Sequence, residues 1–449
     1  MIPVVTPSQM ADIDEQAVEP IEVLIKKAGQ AVAWRARKIL KGTYGKRVTI
    51  IVGKGNNGAD GLEAARRLRG WGVKVHTFQS DSVPYNLKDS DLLIDAAVGT
   101  GLKRPYQAPE VSFPILSVDI PSGICGLSGD ALGTPVNADE TITFQALKTG
   151  HLLSKGPSHS GRITVADIGL DVSHVCNHLL EKSDVTQILN EMNHRDHKWV
   201  SACWVIGGSE GMRGAPLLSS KAALRSGSGY VRMSIPSGFQ GDSSEIVRFD
   251  MPSEKWDACI TDSELRRFKS LVIGPGLGRS SQTLESVQKL TQAIHVPTVV
   301  DADALYAIGQ QRSDHYSYHD TFVLTPHDAE YQHLTGHKPE KDRVSDVRDA
   351  AKKLNATILL KGPATVIAHP EGRCFIVNNG DQRLATAGTG DVLSGIIGGL
   401  LSRGIAPFEA AAAGAWLHAE AAKRCSSNGM IASDIINALP EVLCETNMG

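Results

Sequence analysis

The sequence lacks several features that would assign it to a specialised class of protein. Its seven cysteines lie far apart and form no CxxC pair, so neither a zinc site nor a disulfide framework is expected. It also lacks a large excess of charge of either sign, because the net charge is -3 over 449 residues and lysine and arginine are scattered. This balance argues against general binding to nucleic acid or to anionic membranes.

Two kinds of segment that direct a chain to a membrane are also missing. The first residues, MIPVVTPSQMADIDE, are acidic and do not form the basic-then-apolar pattern of a secretory signal. No run of about 18 apolar residues occurs, so no membrane span is expected. We therefore expect a cytoplasmic protein whose cysteines are reduced, buried thiols.

The length and the pattern of the chain predict two α/β domains. A chain of 449 residues is too long for one compact core. In the first half, short β-branched runs alternate with helical segments, and loops rich in glycine and aspartate follow the strands, which is typical of a doubly wound fold. The chain turns polar between about Glu181 and Lys198, with NEMNHRDHK, residues 190–198, as the predicted junction. We place the domains at 1–185 and 186–449.

The second half has the same kind of architecture without a visible sequence period. Strands followed by loops are predicted in residues 203–209, 270–278, 297–305, 321–328 and 357–365. A hairpin follows, with its turn near residues 370–372. Two helices are predicted to close the chain, one beginning near Asp391 and one rich in alanine. In the first half, Asp60 is expected to cap the helix that ends at Gly70.

The most informative stretch is residues 384–401, LATAGTGDVLSGIIGGLL. Its Gly-rich turn opens into a long apolar helix, where convergent backbone amides favour an anion such as a phosphate in transfer. Asp391, in the first helical turn, then suits a base for a substrate hydroxyl or a metal ligand. We expect the helix N-terminus to keep Asp391 ionised and therefore a weak base. The alternative is that the glycines only permit close packing.

Three further loops of the second half each have a functional and a structural interpretation. KGPAT, residues 361–365, follows a buried strand, and its lysine suits a nucleotide phosphate or is simply a solvated strand end. GPGLG, residues 274–278, allows a flat ligand to approach closely or only makes a tight turn. His327 leaves another strand and could contact a substrate, although a lone histidine in a loop is more often a surface residue.

These loops together resemble the ribokinase-like fold and, more narrowly, the ADP- or ATP-dependent NAD(P)HX dehydratases, which return hydrated NADH or NADPH to the reduced cofactor. The resemblance rests on residues 205–231, 274–278, 325–330, 361–365 and 385–404, and it spans essentially all of 195–445. It implies that Asp391 takes the hydroxyl proton while phosphoryl transfer makes the hydroxyl a good leaving group. Mg²⁺ is expected with the nucleotide.

The same resemblance implies two sets of binding residues. The residues implied to face the hydrated nicotinamide nucleotide are Ala215, Gly276, His327 and Asp391. The residues implied to hold the nucleotide are Lys361, Gly362, Pro363, Ala364, Thr365 and Gly390.

In the first half, residues 53–61, GKGNNGADG, differ from a GxGxxG dinucleotide fingerprint because two asparagines replace the spacer residues. Asparagine supplies carbonyl oxygens and amide donors, which suit a cation and a polar ligand at one place. Asn57, Asp95 and Ser122 could give oxygen ligands to a monovalent cation. The alternative is that the two aspartates that end strands, Asp95 and Asp119, cap helices or turns.

As a set, these motifs resemble the NAD(P)HX epimerase domain, a Rossmann-like, three-layer fold that interconverts the two hydrate epimers. The match covers about 45–170 and includes VDIPSG, a TITF strand and the turn at Lys148–Gly150. It implies that Asn57, Asp95 and Ser122 hold K⁺ and that Asp119 is the acid/base group. The residues implied to bind substrate are Asn56, Asn57, Gly58, Ala59, Asp60, Gly99, Thr100, Gly101, Leu102, Lys103, Arg104, Pro105 and Asp119.

Two positions depart from the epimerase pattern. Ala59 replaces a glycine, which would cost about 1 kcal/mol if that position required positive φ. The N-terminal helix carries LIKKAG at residues 24–29 where the family has an acidic residue. Epimerase activity is therefore a weaker expectation than dehydratase activity.

The two resemblances imply a bifunctional enzyme that epimerises (R)- and (S)-NAD(P)HX and dehydrates the S epimer with ADP or ATP. Two alternatives stay open: a ribokinase-like small-molecule kinase, and a dehydratase fused to a non-catalytic binding domain. The expected partners are small molecules (NADHX, NADPHX, ADP and ATP) rather than nucleic acid or membranes, and the chain is expected to form a homo-oligomer.

Overall fold

A computed structural model describes residues 1–84, 87, 90–194, 196–236, 238, 245–310 and 318–447. The chain forms two compact units, Ile2–His178 and Leu179–Gly449, with Met1 grouped with the second. All seven cysteines are free, as predicted. The prediction that all the thiols are buried is wrong, because Cys176 and Cys444 are exposed. Among the described residues, no helix combines the length and the apolar character that a membrane span requires.

The N-terminal unit is built on a six-stranded parallel sheet with the order β10-β8-β6-β4-β2-β3. Its strands are β1 (Ile2–Val5), β2 (Arg47–Val52), β3 (Lys74–Gln79), β4 (Leu92–Ala96), β5 (Tyr106–Gln107), β6 (Ile115–Val118), β7 (Gly133–Thr134), β8 (Glu140–Phe144), β9 (Leu147–Lys148) and β10 (Arg162–Ala166), with β11 (Asn177–Leu179) at the unit boundary. Its helices are α1 (Pro7–Glu15), α2 (Ile21–Leu40), α3 (Asn56–Gly70), α4 (Thr149–Leu152) and α5 (Gly156–Ser160).

The central strands of this sheet are buried on both faces, which explains their continuous apolar sequences. Ile50 and Ile94 belong to the core beneath α2 and α3, whereas Ile51 and Leu93 pack in a cluster on the other face. The strand order reverses between β2 and β4, because the chain runs from β2 outward to β3 and then back across to β4. In doubly wound sheets, ligands bind beside the carboxyl ends of the strands at such a reversal.

The C-terminal unit contains a second sheet, in which the strands from β14 to β18 are parallel and β19 and β20 form an antiparallel hairpin. Its strands are β12 (Ala202–Ile206), β13 (Tyr230–Ser234), β14 (Val247–Arg248), β15 (Ser270–Ile273), β16 (Thr298–Val300), β17 (Phe322–Leu324), β18 (Thr357–Leu360), β19 (Thr365–Ala368) and β20 (Cys374–Val377). Its helices are α6 (Lys182–Asn190), α7 (Gly214–Arg225), α8 (Asp262–Leu265), α9 (Ser281–Ala293), α10 (Ala302–Gly309), α11 (Asp328–Thr335), α12 (Arg343–Leu354), α13 (Thr389–Ser402), α14 (Pro407–Arg424) and α15 (Ala432–Asn447).

Helix α13 is held close to its neighbours by glycines. A Cβ on Gly395 would lie 2.1 Å from the backbone oxygen of Ser219 in α7, and one on Gly398 would lie 2.4 Å from the Val272 side chain in β15. Any larger residue would push the helix outward. The glycines within α13 therefore serve packing, and this packing fixes where the helix begins.

Two local predictions are wrong. Asp60 does not cap its helix, because α3 begins at Asn56 and its N-cap is Gly55. A third closing helix, α15, follows the two that were predicted. In addition, no helix was predicted for residues 182–190, where the structure has α6 with its apolar residues Val185 and Ile188 buried. Propensity underestimated α6 because tertiary burial of one face stabilises a short polar helix.

Candidate active sites

A cavity of about 730 Å³ in the N-terminal unit opens at the reversal between β2 and β4. The predicted site residues that line it are Asn56, Asn57, Asp60, Gly99, Thr100, Gly101, Arg104, Pro105 and Asp119. The predicted residues that do not line it are Gly58, Ala59, Leu102, Lys103, Asp95 and Ser122. The structure therefore brings the asparagine loop, the loop after β4 and Asp119 to one place.

Asp119 lies directly after β6 with a left-handed backbone, φ 68°. Such a conformation costs energy outside glycine, although aspartate tolerates it better than most residues. His151 holds this backbone in place. Its Nδ1 accepts from the Lys148 amide at 3.0 Å, so its Nε2 carries the proton and donates to the Asp119 carbonyl at 2.8 Å. Burial lowers the pKa of His151 to about 4, which keeps the ring neutral in this role.

The carboxylate of Asp119 is paired with a buried lysine that the sequence analysis did not include in the site. The Lys148 ammonium lies 2.6 Å from Asp119 Oδ1, and only 2% of the lysine side chain is exposed. Thr143 donates its hydroxyl to the same carboxylate at 3.2 Å. Burial alone would raise the pKa of Asp119, but the charge and hydrogen bond of Lys148 lower it below its ordinary value.

Two further carboxyl groups share this cavity with Asp119. Asp60 is 7% exposed, and Asp14 on α1 lies at the mouth. Burial, together with the charges of Asp119 and Asp14, raises the pKa of Asp60 to about 8. Asp60 therefore carries a proton for most of the time at neutral pH, whereas Asp119 is ionised.

The three residues predicted to hold K⁺ have different surroundings. Asp95 is fully buried, and its carboxylate accepts from the Ser122 hydroxyl at 2.7 Å, the Ser122 amide at 2.9 Å and the Ser117 hydroxyl at 3.0 Å. Burial raises the pKa of Asp95 despite these hydrogen bonds. Asn57 is half-buried, and among the described residues neither its side-chain oxygen nor its side-chain nitrogen, both buried atoms, has a hydrogen-bond partner. An unpaired buried amide oxygen fits a cation ligand.

Ala59 is a helical residue of α3 and is absent from the positions with positive φ. Alanine at this position therefore does not incur the cost of about 1 kcal/mol that a positive φ would impose. The position that requires glycine is 58, because a Cβ there would lie 2.0 Å from the Gly53 carbonyl oxygen. The close approach explains why glycine stands at 58 and not at 59.

In the C-terminal unit, Asp391 is the third residue of α13, and its carbonyl accepts from the Ser219 hydroxyl of α7 at 2.8 Å. The prediction that the helix N-terminus keeps Asp391 strongly ionised is wrong. Burial, followed by the negative charge of Asp301, raises the pKa of Asp391 to about 7. A carboxylate with this pKa is a better base at neutral pH than one near 4.

Asp301, directly after β16, is a site residue that was not predicted from the sequence. Its carboxylate accepts from Lys361 Nζ at 2.9 Å and from the Ser394 hydroxyl at 2.6 Å. Burial opposes ionisation, but Lys361 and Ser394 lower the pKa of Asp301. The residue that follows, Ala302, has a positive φ of 50°, which marks local backbone strain. An aspartate ending a buried strand, in PTVVDADAL, was the available sequence signal.

Lys361 connects the predicted nucleotide loop to the start of α13. Its ammonium lies 3.8 Å from the place a Cβ on Gly390 would occupy, and 3.7 Å from Glu330 Oε2. The Lys361 carbonyl accepts from Arg343 at 3.0 Å. The loop Gly362–Ala364 continues from it into β19, which begins at Thr365. The structure thus brings Lys361, Gly390 and Asp391 together.

Ala215 and Gly276, both predicted to face the substrate, are neighbours. Gly276 has φ 62°, and a Cβ there would lie 3.1 Å from the Ala215 Cβ. Ser209 donates its hydroxyl to the Gly276 carbonyl at 2.9 Å, which fixes the two loops to each other. Only glycine fits this turn, so the backbone rather than a side chain is presented there.

His327, the third residue predicted to face the substrate, has a structural role in the fold. Its Nδ1 accepts from the Ala329 and Glu330 amides at 3.1 and 3.3 Å, so the ring caps α11. The side chain is 55% exposed, and its Nε2 lies 3.5 Å from Glu330 Oε1. Since Glu330 also approaches Lys361, it links His327 to the nucleotide loop.

Comparison with known proteins assigns both units. A family model described as NAD(P)H-hydrate dehydratase matches residues 203–441, and one described as YjeF-related protein N-terminus matches residues 21–85 and 75–150. The chain is 33% identical to the bifunctional NAD(P)H-hydrate repair enzyme Nnr of Moorella thermoacetica, over 98% of this chain and 96% of the relative. It is 31% identical to the enzyme of the same name from Escherichia coli, over 94% and 89%.

Solved structures agree with the C-terminal assignment. The ADP/ATP-dependent NAD(P)H-hydrate dehydratase from Bacillus subtilis, co-crystallised with ATP/Mg²⁺, is 27% identical, with a TM-score of 0.51, over 60% of this chain and 98% of that one. A ribokinase-like protein of Enterococcus faecalis, 23% identical with a TM-score of 0.53 over 62% and 99%, shows the shared fold. The motifs, the two sites and the full-length relatives lead to one conclusion: the chain belongs to the family of bifunctional NAD(P)H-hydrate repair enzymes.

Proposed function

We propose that the protein repairs hydrated NADH and NADPH in two reactions carried out by its two units. The N-terminal unit interconverts (R)- and (S)-NAD(P)HX, and the C-terminal unit dehydrates the S epimer to NAD(P)H with ADP or ATP. The observation that carries the proposal is the cluster at the start of α13, where Asp391 stands beside Lys361 and Gly390. An amide-lined turn, a cation and a carboxylate are the groups that phosphoryl transfer to an alcohol requires.

In the dehydratase reaction, the substrate hydroxyl loses its proton to Asp391 as its oxygen attacks the terminal phosphoryl group. The bond from that phosphorus to the bridging oxygen breaks, so AMP leaves from ADP or ADP leaves from ATP. The amides at the start of α13 and the Lys361 ammonium stabilise the charge on the phosphoryl oxygens. The phosphorylated oxygen then leaves as inorganic phosphate with the C–O bonding pair, and the adjacent ring carbon loses a proton to the departing phosphate, which restores the dihydropyridine double bond. Lys361–Thr365 and Gly390 bind the nucleotide, while Ala215, Gly276 and His327 bind the hydrated dinucleotide.

Mg²⁺ fits the dehydratase site as a companion of the nucleotide, since the Bacillus subtilis relative was crystallised with ATP/Mg²⁺. Bound there, it would neutralise phosphate charge that Lys361 alone does not balance. Among the described residues, no group of three or more His, Cys, Asp or Glu side chains forms a metal cage.

In the epimerase reaction, Asp119 acts as an acid/base group on the hydroxyl of the hydrated ring. Asn57, Asp95 and Ser122 would hold K⁺, which would supply positive charge beside the buried Asp95 carboxylate. The predicted residues that line the cavity bind the substrate around it: Asn56, Asp60, Gly99, Thr100, Gly101, Arg104 and Pro105. The two units serve one pathway because a dehydratase specific for one epimer leaves the other unused.

Turnover of an epimer mixture tests the proposal. The purified full-length protein, supplied with ADP or ATP, should convert the whole mixture to NAD(P)H and release inorganic phosphate. A stall with one epimer left would show that the N-terminal unit is a binding domain without epimerase activity. Accumulation of a stable phosphorylated product would show a kinase of the ribokinase type instead.

The same preparation tests three finer proposals. Parallel assays compare ADP with ATP and NADHX with NADPHX. Sedimentation measures the proposed homo-oligomer. Cell fractionation measures the proposed cytoplasmic location.

A further inference from the structure

We infer that Asp60 is a second catalytic residue of the epimerase cavity and acts as the proton donor that complements Asp119. The inference rests on the proposed epimerase function of the N-terminal unit. It assigns opposite protonation states to two carboxyl groups that line one cavity: Asp60 begins the reaction protonated, and Asp119 begins it ionised.

The geometry supports two separate reactive groups rather than one shared carboxyl pair. Asp60 projects from α3, one helical turn after Asn57, and Asp119 projects from the loop after β6; both line the cavity. Asp119 Oδ1 is occupied by Lys148 and Thr143. In the part of the chain that the structure describes, no side chain or amide donates to Asp60. The Asp60 carboxyl is therefore buried and free to address a ligand.

Charge balance in the cavity leads to the same assignment. Lys148 forms its ion pair with Asp119. Asp60 is 7% exposed and has no cation of its own, so ionising it would place a second, uncompensated charge near Asp119. The groups that act on Asp60 from the surrounding elements are Asp119, Asp14 and Lys148. Two neighbouring carboxyls whose environments separate their protonation are the usual arrangement of an acid and a base.

The chemical step balances with these two groups. The substrate is a carbinolamine, so its ring nitrogen lone pair can form a C=N bond as the neighbouring C–O bond breaks. The leaving oxygen takes its bonding pair and the Asp60 proton and departs as water. A water molecule then adds to the other face, the C=N electrons return to nitrogen, and the surplus proton of that water passes to the Asp119 carboxylate.

After this turnover Asp60 is ionised and Asp119 is protonated, which is the state required to convert the opposite epimer. The enzyme thus alternates between two forms that differ by the position of one proton. Water in the cavity can return the proton when successive substrates have the same configuration.

Substitution of Asp60→Asn in the full-length protein tests the inference, because asparagine keeps the shape and polarity of the neutral acid but has no acidic proton. We expect the epimerase kcat to fall by about 100-fold or more, with KM changed less than threefold. Dehydration of pure S epimer by the same preparation should be unchanged, which shows that the C-terminal unit is intact, and the nearly unchanged epimerase KM shows that the N-terminal cavity still binds its substrate. Asp12→Asn, on the exposed face of α1, is the matched control and should retain full epimerase activity.

Two outcomes would overturn the inference while leaving the proposed function intact: Asp60→Asn with epimerase kcat within threefold of the unmodified protein, or an equal loss in the Asp12→Asn control. An unmodified protein without epimerase activity would instead refute the proposed function. A second measurement follows the oxygen. Epimerisation in ¹⁸O-water should place one ¹⁸O in each inverted molecule, and retention of the original oxygen would contradict the water-loss step.

Discussion

Lys148 pairs with Asp119 in the N-terminal unit at 2.6 Å, and Lys361 pairs with Asp301 in the C-terminal unit at 2.9 Å. Each pair stands near a second carboxyl on a helix that follows a Gly-rich loop. That carboxyl is Asp60, the fifth residue of α3, in one unit and Asp391, the third residue of α13, in the other. Burial raises the pKa of both, to about 8 and about 7.

The two sites differ in whether the lysine-paired aspartate is itself the carboxyl group proposed to contact the ligand. In the N-terminal unit the lysine-paired Asp119 itself lines the cavity. In the C-terminal unit the lysine-paired Asp301 is buried and bonded to Ser394, and its charge raises the pKa of Asp391. In the proposed mechanism, the N-terminal pair supplies the reactive Asp119, whose charge also raises the pKa of Asp60, whereas Asp301 of the C-terminal pair acts only by raising the pKa of Asp391.

The largest expected effect separates these two roles. Asp391→Asn should lower dehydratase turnover by about 10³-fold because it removes the base, while epimerase activity remains. Asp262→Asn, at an exposed first-turn position of α8, is the control and should have no effect. Both reactions are measured on the same preparations by nicotinamide absorbance and by epimer ratio. A dehydratase that keeps normal turnover in Asp391→Asn would remove Asp391 from the mechanism.

The next largest expected effect is the loss of folding stability when the lysine of either pair is replaced. Lys361→Met should destabilise the C-terminal unit by about 3–5 kcal/mol, because it leaves the Asp301 carboxylate, whose side chain is 3% exposed, without its ion-pair partner. Lys148→Met should destabilise the N-terminal unit by less, about 1–3 kcal/mol, since the Asp119 side chain that it leaves behind is 16% exposed and lines a cavity. Denaturant unfolding measures both values.

The control for this stability experiment is Lys289→Met, which breaks an exposed pair with Glu285 and should cause no measurable change. Equal losses for Lys148→Met and Lys361→Met would contradict the proposed difference between the pairs.

The pH dependence of the two reactions should run in opposite directions. Dehydratase kcat/KM should fall about tenfold for each pH unit below about 7, because the base form of Asp391 is lost as it takes up a proton. Epimerase turnover should instead fall above about pH 8, because Asp60 loses the proton it donates. The two profiles are measured on one preparation. Losses of both activities on the same side of neutrality would contradict the assignment.

The smallest effect concerns Ala59. Because this residue is helical, Ala59→Gly should destabilise the N-terminal unit by about 0.5–1 kcal/mol and leave epimerase activity unchanged. Ala31→Gly, within α2, gives the matched helix control and should lose a similar amount. An activity gain in Ala59→Gly would show that the loop needs the glycine of the family pattern.

The sequence predicted the elements that carry a local signal. Buried strands were recognised from their continuous apolar runs, and the loops after β2, β4, β18 and before α13 from their glycines and polar residues. Lys148 and Asp301 were not recognised as site residues, because a lysine or aspartate acquires its role only when folding brings it to a distant partner. Lys148 follows Asp119 by a loop and two strands, and Lys361 is 60 residues from Asp301.

The raised pKa of Asp391 could also not be predicted from the sequence. The helix N-terminus is a local feature and was predicted, whereas burial and the neighbouring Asp301 are tertiary features that outweigh it. Likewise, α6 and α15 were missed because their stability comes from one packed face. Local features such as glycine-rich loops and helix starts can be predicted from the sequence, whereas the protonation states of a site's residues depend on tertiary contacts and cannot.

The left-handed backbone at Asp119 restricts how this position can change during evolution. Asparagine adopts that conformation about as easily as aspartate, whereas branched residues do so only at considerable cost. A single nucleotide change from an aspartate to an asparagine codon would therefore remove the proposed acid/base group without changing the fold. The scaffold makes it easy for a lineage to turn this half of the molecule from an enzyme into a receptor for the same metabolite.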